Sequence, residues 1–161
     1  MTSSRQGARP GIKVNAVLCD RAGWVDGELV VEGGVRTAYR TDTFPLRIAN
    51  VGLALHVELS TMRALHEHTL TIRLERDGTL LWVGDLATLG PRKNDLPRTG
   101  GRRGPVTSSP RPQRPLGSEP VVVPFCLNMS DLVLDRPGDY SLIVSVDRTD
   151  CHTTTFVVTT S

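Results

Sequence analysis

The sequence predicts an all-β fold: an immunoglobulin-like Greek-key β-sandwich of about seven to nine strands. Short runs of alternating apolar and polar residues dominate the chain, and turns rich in Gly, Pro and Asp separate them. No long run shows the 3.6-residue period of an amphipathic helix. The approach to the penultimate predicted strand has the Leu, Gly and Tyr spacing of a tyrosine corner. An open barrel is the alternative arrangement of such strands.

The predicted domain is single and spans residues 12–161, after a disordered tail at residues 1–11. With the tail and one insertion set aside, roughly 120 residues remain, enough to form a core without disulfides or metal. A hydrophobic fraction of 39% and a charged fraction of 22% are typical of globular domains. Aromatic residues make up only 4%, so Val, Leu and Ile must supply most of the core.

The first predicted strands are short and divided by glycine. Ile12–Asp20 alternates, and Asp26-Gly27 is a turn that leads into a strand at Glu28–Val31. Gly33-Gly34 marks a bulge or a close backbone approach before Val35–Arg40. We expect an irregular connection to start at Phe44-Pro45 and to end near Asn50.

The middle of the chain predicts two hairpins. Gly52–Ser60 and Thr69–Arg76 both alternate well, and we expect them to pair around a single helical turn at Thr61–Glu67. Asp77-Gly78 favours a type I′ turn, because glycine accepts a positive φ at low cost. Thr79–Leu86 is then the returning strand.

The last third is predicted to hold three strands. Val121–Leu127 comes first, and Thr153–Thr160 closes the chain. Between them, Gly138 and Tyr140 are the structural residues of the predicted tyrosine corner, whose hydroxyl bonds backbone upstream. On the strand that follows, the core face is predicted to consist of Tyr140, Leu142, Val144 and Val146.

Residues 90–120 predict a long disordered insertion. This segment holds seven prolines and five glycines and has almost no branched apolar residues, so it cannot offset the entropy of ordering. It is a possible docking loop through Arg92, Arg98, Arg102, Arg103, Arg111 and Arg114. The main interpretation is a solvated loop without a function; Pro110–Pro115 resembles a polyproline II peptide, which adds some weight to the alternative of a protein-docking segment. Nucleic acid is disfavoured as a partner, because no aromatic residue is present in the insertion to stack on bases.

The sequence favours a cytoplasmic protein. The N-terminal residues contain no apolar run of the kind found in secretory signals, and no stretch is long enough to cross a membrane. The cysteines are three, an odd number with no paired spacing, which is typical of a reducing compartment.

Candidate chemical groups are few, and each has a structural interpretation. His66 and His68 share one side of a strand, but a metal site needs a third ligand, so we interpret them as surface histidines at the start of a strand. Cys151 and His152 are adjacent and would point to opposite faces, while Cys19 and Cys126 fit buried, inert thiols. Aspartates near turns could bind calcium, yet none matches a calcium-loop spacing. We therefore predict no catalytic residues, no metal and no cofactor.

Four stretches resemble a known family. They are Asn15–Asp20 (NAVLCD), Gly27–Arg40 (GELVVEGGVRTAYR), Gly52–Leu59 (GLALHVEL) and the region from Pro137 through Asp147. The family comprises short, uncharacterised, mostly actinobacterial proteins classed as a domain of unknown function. The resemblance covers most of Lys13–Val158 without the insertion, and it implies a β-sandwich and no known activity.

These observations predict a non-catalytic β-sandwich module that binds or scaffolds a protein partner. The alternative is a small-molecule or metal-binding domain, with or without hydrolytic activity, that uses loop carboxylates and histidines. A lesser alternative is non-specific nucleic-acid contact through the arginines of the insertion.

Overall fold

The computed structural model of the protein describes residues 10–89, 106–108 and 120–161, with backbone alone at 106–108. Nearly all of the predicted tail and most of the predicted insertion lie outside these residues. The described chain is all-β, which confirms the predicted fold class. Its strands are β1 (Ile12–Cys19), β2 (Arg21–Val25), β3 (Glu28–Glu32), β4 (Ala38–Thr41), β5 (Leu46–Leu59), β6 (His68–Arg76), β7 (Thr79–Leu89), β8 (Val106–Ser108), β9 (Val121–Leu134), β10 (Gly138–Val146) and β11 (Thr149–Thr160).

Two sheets pack face to face. One has the order β1-β5-β9-β8, with all neighbours antiparallel. The other has the order β4-β11-β10-β6-β7, in which β4 runs parallel to β11 and the other pairs are antiparallel. Side chains from both sheets form one continuous buried cluster, as in the predicted sandwich. These two sheets hold nine of the eleven described strands, and β2 and β3 form a separate two-stranded sheet.

The core follows from the alternation of its strands. On β5, four alternating apolar residues are almost fully buried, namely Leu53, Leu55, Val57 and Leu59. On β10, the predicted core face is buried in full, namely Tyr140, Leu142, Val144 and Val146. Burying each of these side chains contributes about 1.5–3 kcal/mol relative to its exposure.

Among the described residues, three hairpin turns have two consecutive residues at positive φ. Asp26-Gly27 and Asp77-Gly78 have this geometry, so the predicted type I′ turn after β6 is confirmed. The third turn is Asp147-Arg148, which contains no glycine. The Asp147 carboxylate accepts a hydrogen bond from the backbone nitrogen of Thr69 at 2.9 Å and lies 2.7 Å from Nδ1 of His68. These contacts hold the positive-φ backbone of Asp147 in place.

The start of β5 corrects one prediction. The segment from Pro45 to Asn50 was expected to be irregular, but β5 begins at Leu46 and continues for 14 residues. Leu46 and Ile48 are partly buried against the core and pair with Leu134 and Leu132 of β9. β9 is likewise longer than predicted, because it must match β5 along this extension.

The predicted hairpin between Gly52–Ser60 and Thr69–Arg76 is wrong. These segments belong to different sheets: β5 pairs with β1 and β9, whereas β6 pairs with β7 and β10. A 3₁₀ turn at Arg63–Leu65 lies in the connection, where a single helical turn was expected. Both strands bury one apolar face, and placing them in opposite sheets lets those faces meet across the core.

The tyrosine corner is formed by Tyr140, which is fully buried. Its hydroxyl donates to the carbonyl oxygen of Arg136 at 2.7 Å, the bond expected from the motif. Its ring stacks on Phe156 with centroids 5.3 Å apart. Gly138 lies close to the turn after β6, since a Cβ there would be 2.8 Å from the Asp77 carboxylate.

The hairpin β2–β3 covers part of the outer face of the four-stranded sheet. A second small core lies beneath it, made of Cys19, Ala22, Ala54 and Cys126 with Trp24 and Leu29 packed against them. The backbone of β2 crosses directly over Gly52, where a Cβ would be 2.6 Å from the backbone nitrogen of Ala22. A side chain at position 52 would therefore displace the hairpin.

Candidate functional site

The six arginines of the predicted docking loop lie outside the described residues, namely Arg92, Arg98, Arg102, Arg103, Arg111 and Arg114. One part of the insertion is described. The backbone of β8 pairs with β9 from Val106 opposite Leu127 to Ser108 opposite Phe125.

The two candidate histidines do not share an environment. His66 is exposed as expected, but the prediction that His68 is a surface residue is wrong, because only 2% of it is accessible. Its Nδ1 lies 2.7 Å from Oδ2 of Asp147, and its Nε2 lies 2.7 Å from the carbonyl oxygen of Arg63. Both ring nitrogens therefore face acceptors, and the ring links the 3₁₀ turn to the turn before β11. This arrangement leaves His68 no lone pair directed at a metal ion.

Most of the turn aspartates are occupied by cations of the same chain. Asp20 forms a two-bond pair with Arg36, which holds the pKa of that carboxyl below its ordinary value. Asp135 accepts one hydrogen bond from Arg76, and Asp131 forms a longer, exposed ion pair with Arg47 at 3.4 Å. Within residues 10–89 and 120–161, no group of three or more His, Cys, Asp or Glu side chains is placed to hold a metal ion.

The three cysteines lie in the described residues, and none takes part in a disulfide. Cys19 and Cys126 are buried under the β2–β3 hairpin, and burial raises the pKa of the Cys19 thiol. A raised pKa disfavours the nucleophilic thiolate. Cys151 is partly buried and its thiol donates to the carbonyl oxygen of Thr149, while the ring of the neighbouring His152 lies 3.1 Å from the Thr154 hydroxyl. These contacts direct Cys151 and His152 to different partners.

A rigid charge network lies on the outer face of the five-stranded sheet. Arg73 donates two hydrogen bonds to Asp150, at 2.5 and 2.6 Å, and a third to Glu75 at 2.8 Å. Ser145 is buried beside them and donates to Asp150 at 2.7 Å. The hydrogen bond to Arg73 lowers the pKa of Asp150, so this carboxylate stays charged at neutral pH. The network holds the Arg73 side chain in one conformation, whereas arginine side chains on a protein surface are ordinarily mobile.

Exposed apolar side chains lie beside this network, on β7 at the edge of the same sheet. We call Leu80, Leu81 and Val83 the β7 patch; they are 54%, 37% and 55% accessible. Leu80 pairs with Glu75 and Val83 with Arg73, so both face outward. Leu81 is the extra residue of a β-bulge, since β6 continues from Leu74 to Glu75 while β7 advances from Trp82 to Leu80.

The bulge and the network were not found from the sequence. Alternation in Thr79–Leu86 predicts one apolar face, but an inserted residue changes which side chains face outward beyond it. The pair Arg73–Asp150 joins residues 77 positions apart, and no local pattern indicates it.

The fold and its surfaces thus define a small two-sheet β-sandwich domain. A family model described as a family of unknown function (DUF6941) matches residues 15–159. The protein belongs to this family, which confirms the predicted relation to a domain of unknown function.

No curated protein matches the chain in sequence. A structural similarity exists to the Pseudomonas fluorescens alkylpurine DNA glycosylase AlkC bound to DNA containing an abasic site analog. The identity is 9% and the TM-score 0.46, and the match covers 92% of this chain and 30% of the glycosylase chain. Similarity at this level carries no argument about function. No helix in the described part of the chain is long and apolar enough to cross a membrane.

Proposed function

We propose that the protein is a non-catalytic binding or scaffold module that engages a protein partner through the β7 patch. The observation that carries the proposal is the exposure of Leu80, Leu81 and Val83 together on an edge strand. Soluble domains protect such edges, and exposed apolar clusters rimmed by polar groups mark interaction sites. Arg73, Glu75 and Asp150 provide that rim.

The architecture supports this proposal. The chain crosses from the four-stranded sheet to the five-stranded sheet between β5 and β6, and it makes the same crossing again between β9 and β10. In the sheets, β9 is the neighbour of β5 and β10 is the neighbour of β6. This double crossing supports an immunoglobulin-like Greek-key arrangement, which is part of the proposal. Domains of this architecture place their functions in loops, faces and edges rather than in a fixed catalytic site. Three cysteines outside any disulfide support a cytoplasmic location as part of the same proposal.

The chemistry of the interface follows from its composition. Leu80, Leu81 and Val83 supply apolar area without hydrogen-bonding groups, so the partner must bring an apolar surface of its own. Because Arg73 is already held by Asp150, ordering its side chain adds little entropic cost on binding. We therefore expect an interface with an apolar centre and a charged rim, moderately sensitive to salt.

The proposal is tested by placing a photo-crosslinking amino acid at Leu80 in cells that produce the protein. The expected result is a discrete adduct with one protein, and a control position at the exposed Glu28 of β3 gives none. With that partner purified, Leu80→Asp should weaken binding at least about tenfold, whereas Glu28→Lys should not change it. A stoichiometric metal ion in the purified protein, or no adduct at any residue of the β7 patch, would contradict the proposal.

A further inference from the structure

A shallow cleft opens at one end of the four-stranded sheet, where β1 begins and β5 ends. Its volume is about 190 Å³, and it is lined by Gly11, Ile12, Lys13, Glu58, Ser60 and Pro120. Pockets for drug-sized ligands occupy roughly 300–1,000 Å³, so this cleft suits a molecule of only a few heavy atoms. It lies on the opposite sheet from the β7 patch, and its use does not depend on the proposed protein partner.

Two opposite charges line this cleft without neutralising each other. Lys13 and Glu58 are directly opposite across β1 and β5, a position at which Cβ atoms are about 4.5–5.5 Å apart. Within the described part of the chain, neither side chain forms an ion pair or a side-chain hydrogen bond. Other opposite charges in the protein do pair, as Arg36 with Asp20 and Arg73 with Asp150 do.

The rim of the cleft is already ordered. The backbone nitrogen of Ser60 donates to the carbonyl oxygen of Gly11 at 2.8 Å, and the Ser60 hydroxyl accepts from the backbone nitrogen of Arg63 at 3.2 Å. The Arg63 guanidinium donates to the carbonyl oxygen of Pro10 at 3.1 Å. Gly11 has a φ of 79°, and a Cβ there would be 2.6 Å from the Ser60 hydroxyl oxygen. A preformed rim lowers the entropic cost of binding a small ligand.

We propose that this cleft binds a small zwitterion, a free amino acid, with its carboxylate at Lys13 and its ammonium at Glu58. A simple anion would be attracted by Lys13 and repelled by Glu58, and a simple cation would meet the reverse. A neutral polyol would leave both charges without a counter-charge. A zwitterion alone matches both groups, because its own charges are separated by a few bonds. The Ser60 hydroxyl and the neighbouring backbone then provide polar contacts at the end of the cleft.

The binding test uses the full chain, isotope-labelled, and amide chemical shifts followed by NMR during titration with glycine, alanine or serine. We expect saturable shifts at Gly11, Lys13, Glu58 and Ser60. N-acetylglycine lacks the ammonium and glycinamide lacks the carboxylate, so each should bind at least about tenfold more weakly than glycine. Equal binding of the two analogues and glycine, or no saturable shift up to about 10 mM, would overturn the proposal. Tighter binding of glycylglycine than of any free amino acid would overturn it in favour of a peptide terminus.

Variants separate the charge pairing from a general effect on the domain. Lys13→Met and Glu58→Gln should each weaken binding at least about tenfold. Arg47→Met removes a charge from an exposed ion pair outside the cleft and should leave binding unchanged. The double variant Lys13→Glu with Glu58→Lys should restore binding, because a zwitterion can reverse its orientation. Failure of the double variant to bind, with an unchanged spectrum elsewhere, counts against the proposal.

Discussion

The side-chain amide of Asn128 makes both of the hydrogen bonds that the backbone of Ala22 offers. Its Nδ2 donates to the carbonyl oxygen of Ala22 at 2.6 Å, and its Oδ1 accepts from the backbone nitrogen of Ala22 at 2.9 Å. The amide therefore acts as one more residue of a β-ladder and attaches β2 to the outer face of the four-stranded sheet. The two residues are 106 positions apart in the chain.

Replacing Asn128 should loosen the β2–β3 hairpin. Asn128→Ala removes both bonds and leaves two partly buried backbone groups unsatisfied, so we expect a loss of about 1–3 kcal/mol in the free energy of unfolding. Asn128→Asp should cost a similar amount, because a carboxylate would face the Ala22 carbonyl without a donor. A denaturant melt measures both, and thiol-reagent labelling should become faster at Cys19 and Cys126. Asn15→Ala, at an exposed position of β1, is the control and should change neither.

The tyrosine corner predicts a contrast between two tyrosines. Tyr140→Phe removes the bond to the Arg136 carbonyl at a fully buried position, and we expect a loss of about 1–3 kcal/mol in a denaturant melt. Tyr39→Phe deletes the same atom from a hydroxyl that is buried with no hydrogen-bond partner in the described residues. That substitution should be neutral or slightly stabilising, since an unsatisfied buried hydroxyl is itself unfavourable. Equal effects at the two positions would show that the hydrogen bond does not stabilise the corner.

Features encoded by neighbouring residues could be predicted from the sequence. The turn at Asp77-Gly78 depends on two residues, and the Tyr140 hydroxyl bonds backbone only four residues away. The core face of β10 follows from alternation alone. The start of β5 also shows a strand pattern, since the apolar residues Leu46 and Ile48 alternate with polar ones. Pro45 before this pattern and the polar Asn50 after it favoured an irregular connection instead.

Features that depend on distant pairing could not be predicted. The burial of His68 requires Asp147, 79 residues away, to face its ring. The attachment of β2 requires Asn128 to lie two strands from β1, which only the completed sheet establishes. The Lys13–Glu58 cleft and the β7 patch depend on register and on a bulge in the same way. Register between remote strands is a property of the whole packed domain.

The stability of the domain should depend on pH through His152. This residue lies on β11 close to backbone groups of Val14 and Ala16, and burial lowers the pKa of its ring below 6.5. A lowered folded pKa means that the unfolded chain binds the proton more tightly. The contribution of neutral His152 to the free energy of unfolding is therefore fully present above pH 6.5. It is lost as the pH falls from 6.5 through the pKa of His152 in the folded protein.

Comparison with a variant isolates this effect from the acid titration of the aspartates. The difference in free energy of unfolding between the wild type and His152→Asn should shrink as the pH is lowered below about 6.5. Asn15→Ala, at an exposed position of β1, removes no titrating group and is the control, so its difference should stay constant over the same range. A difference for His152→Asn that is independent of pH would contradict the prediction.

The arginines of residues 90–120 allow a test of the nucleic-acid alternative without deleting β8. Changing Arg92, Arg98, Arg102, Arg103, Arg111 and Arg114 to Gln removes six charges and keeps the chain length and the strand at Val106–Ser108. Any binding of the wild type to DNA or RNA should be indifferent to sequence and should fall steeply between about 50 and 200 mM salt, because it rests on counterion release.

The six-fold variant should lose most of that binding, and its remaining affinity for nucleic acid should depend less steeply on salt concentration. Its affinity for a partner bound at the β7 patch should stay the same, because the proposed apolar centre and its rim of Arg73, Glu75 and Asp150 are unchanged in this variant. Loss of the partner from the six-fold variant, with the wild-type melting profile retained, would instead make these arginines the docking element. Sequence-specific DNA binding that survives in the six-fold variant would place a nucleic-acid site on the sandwich itself.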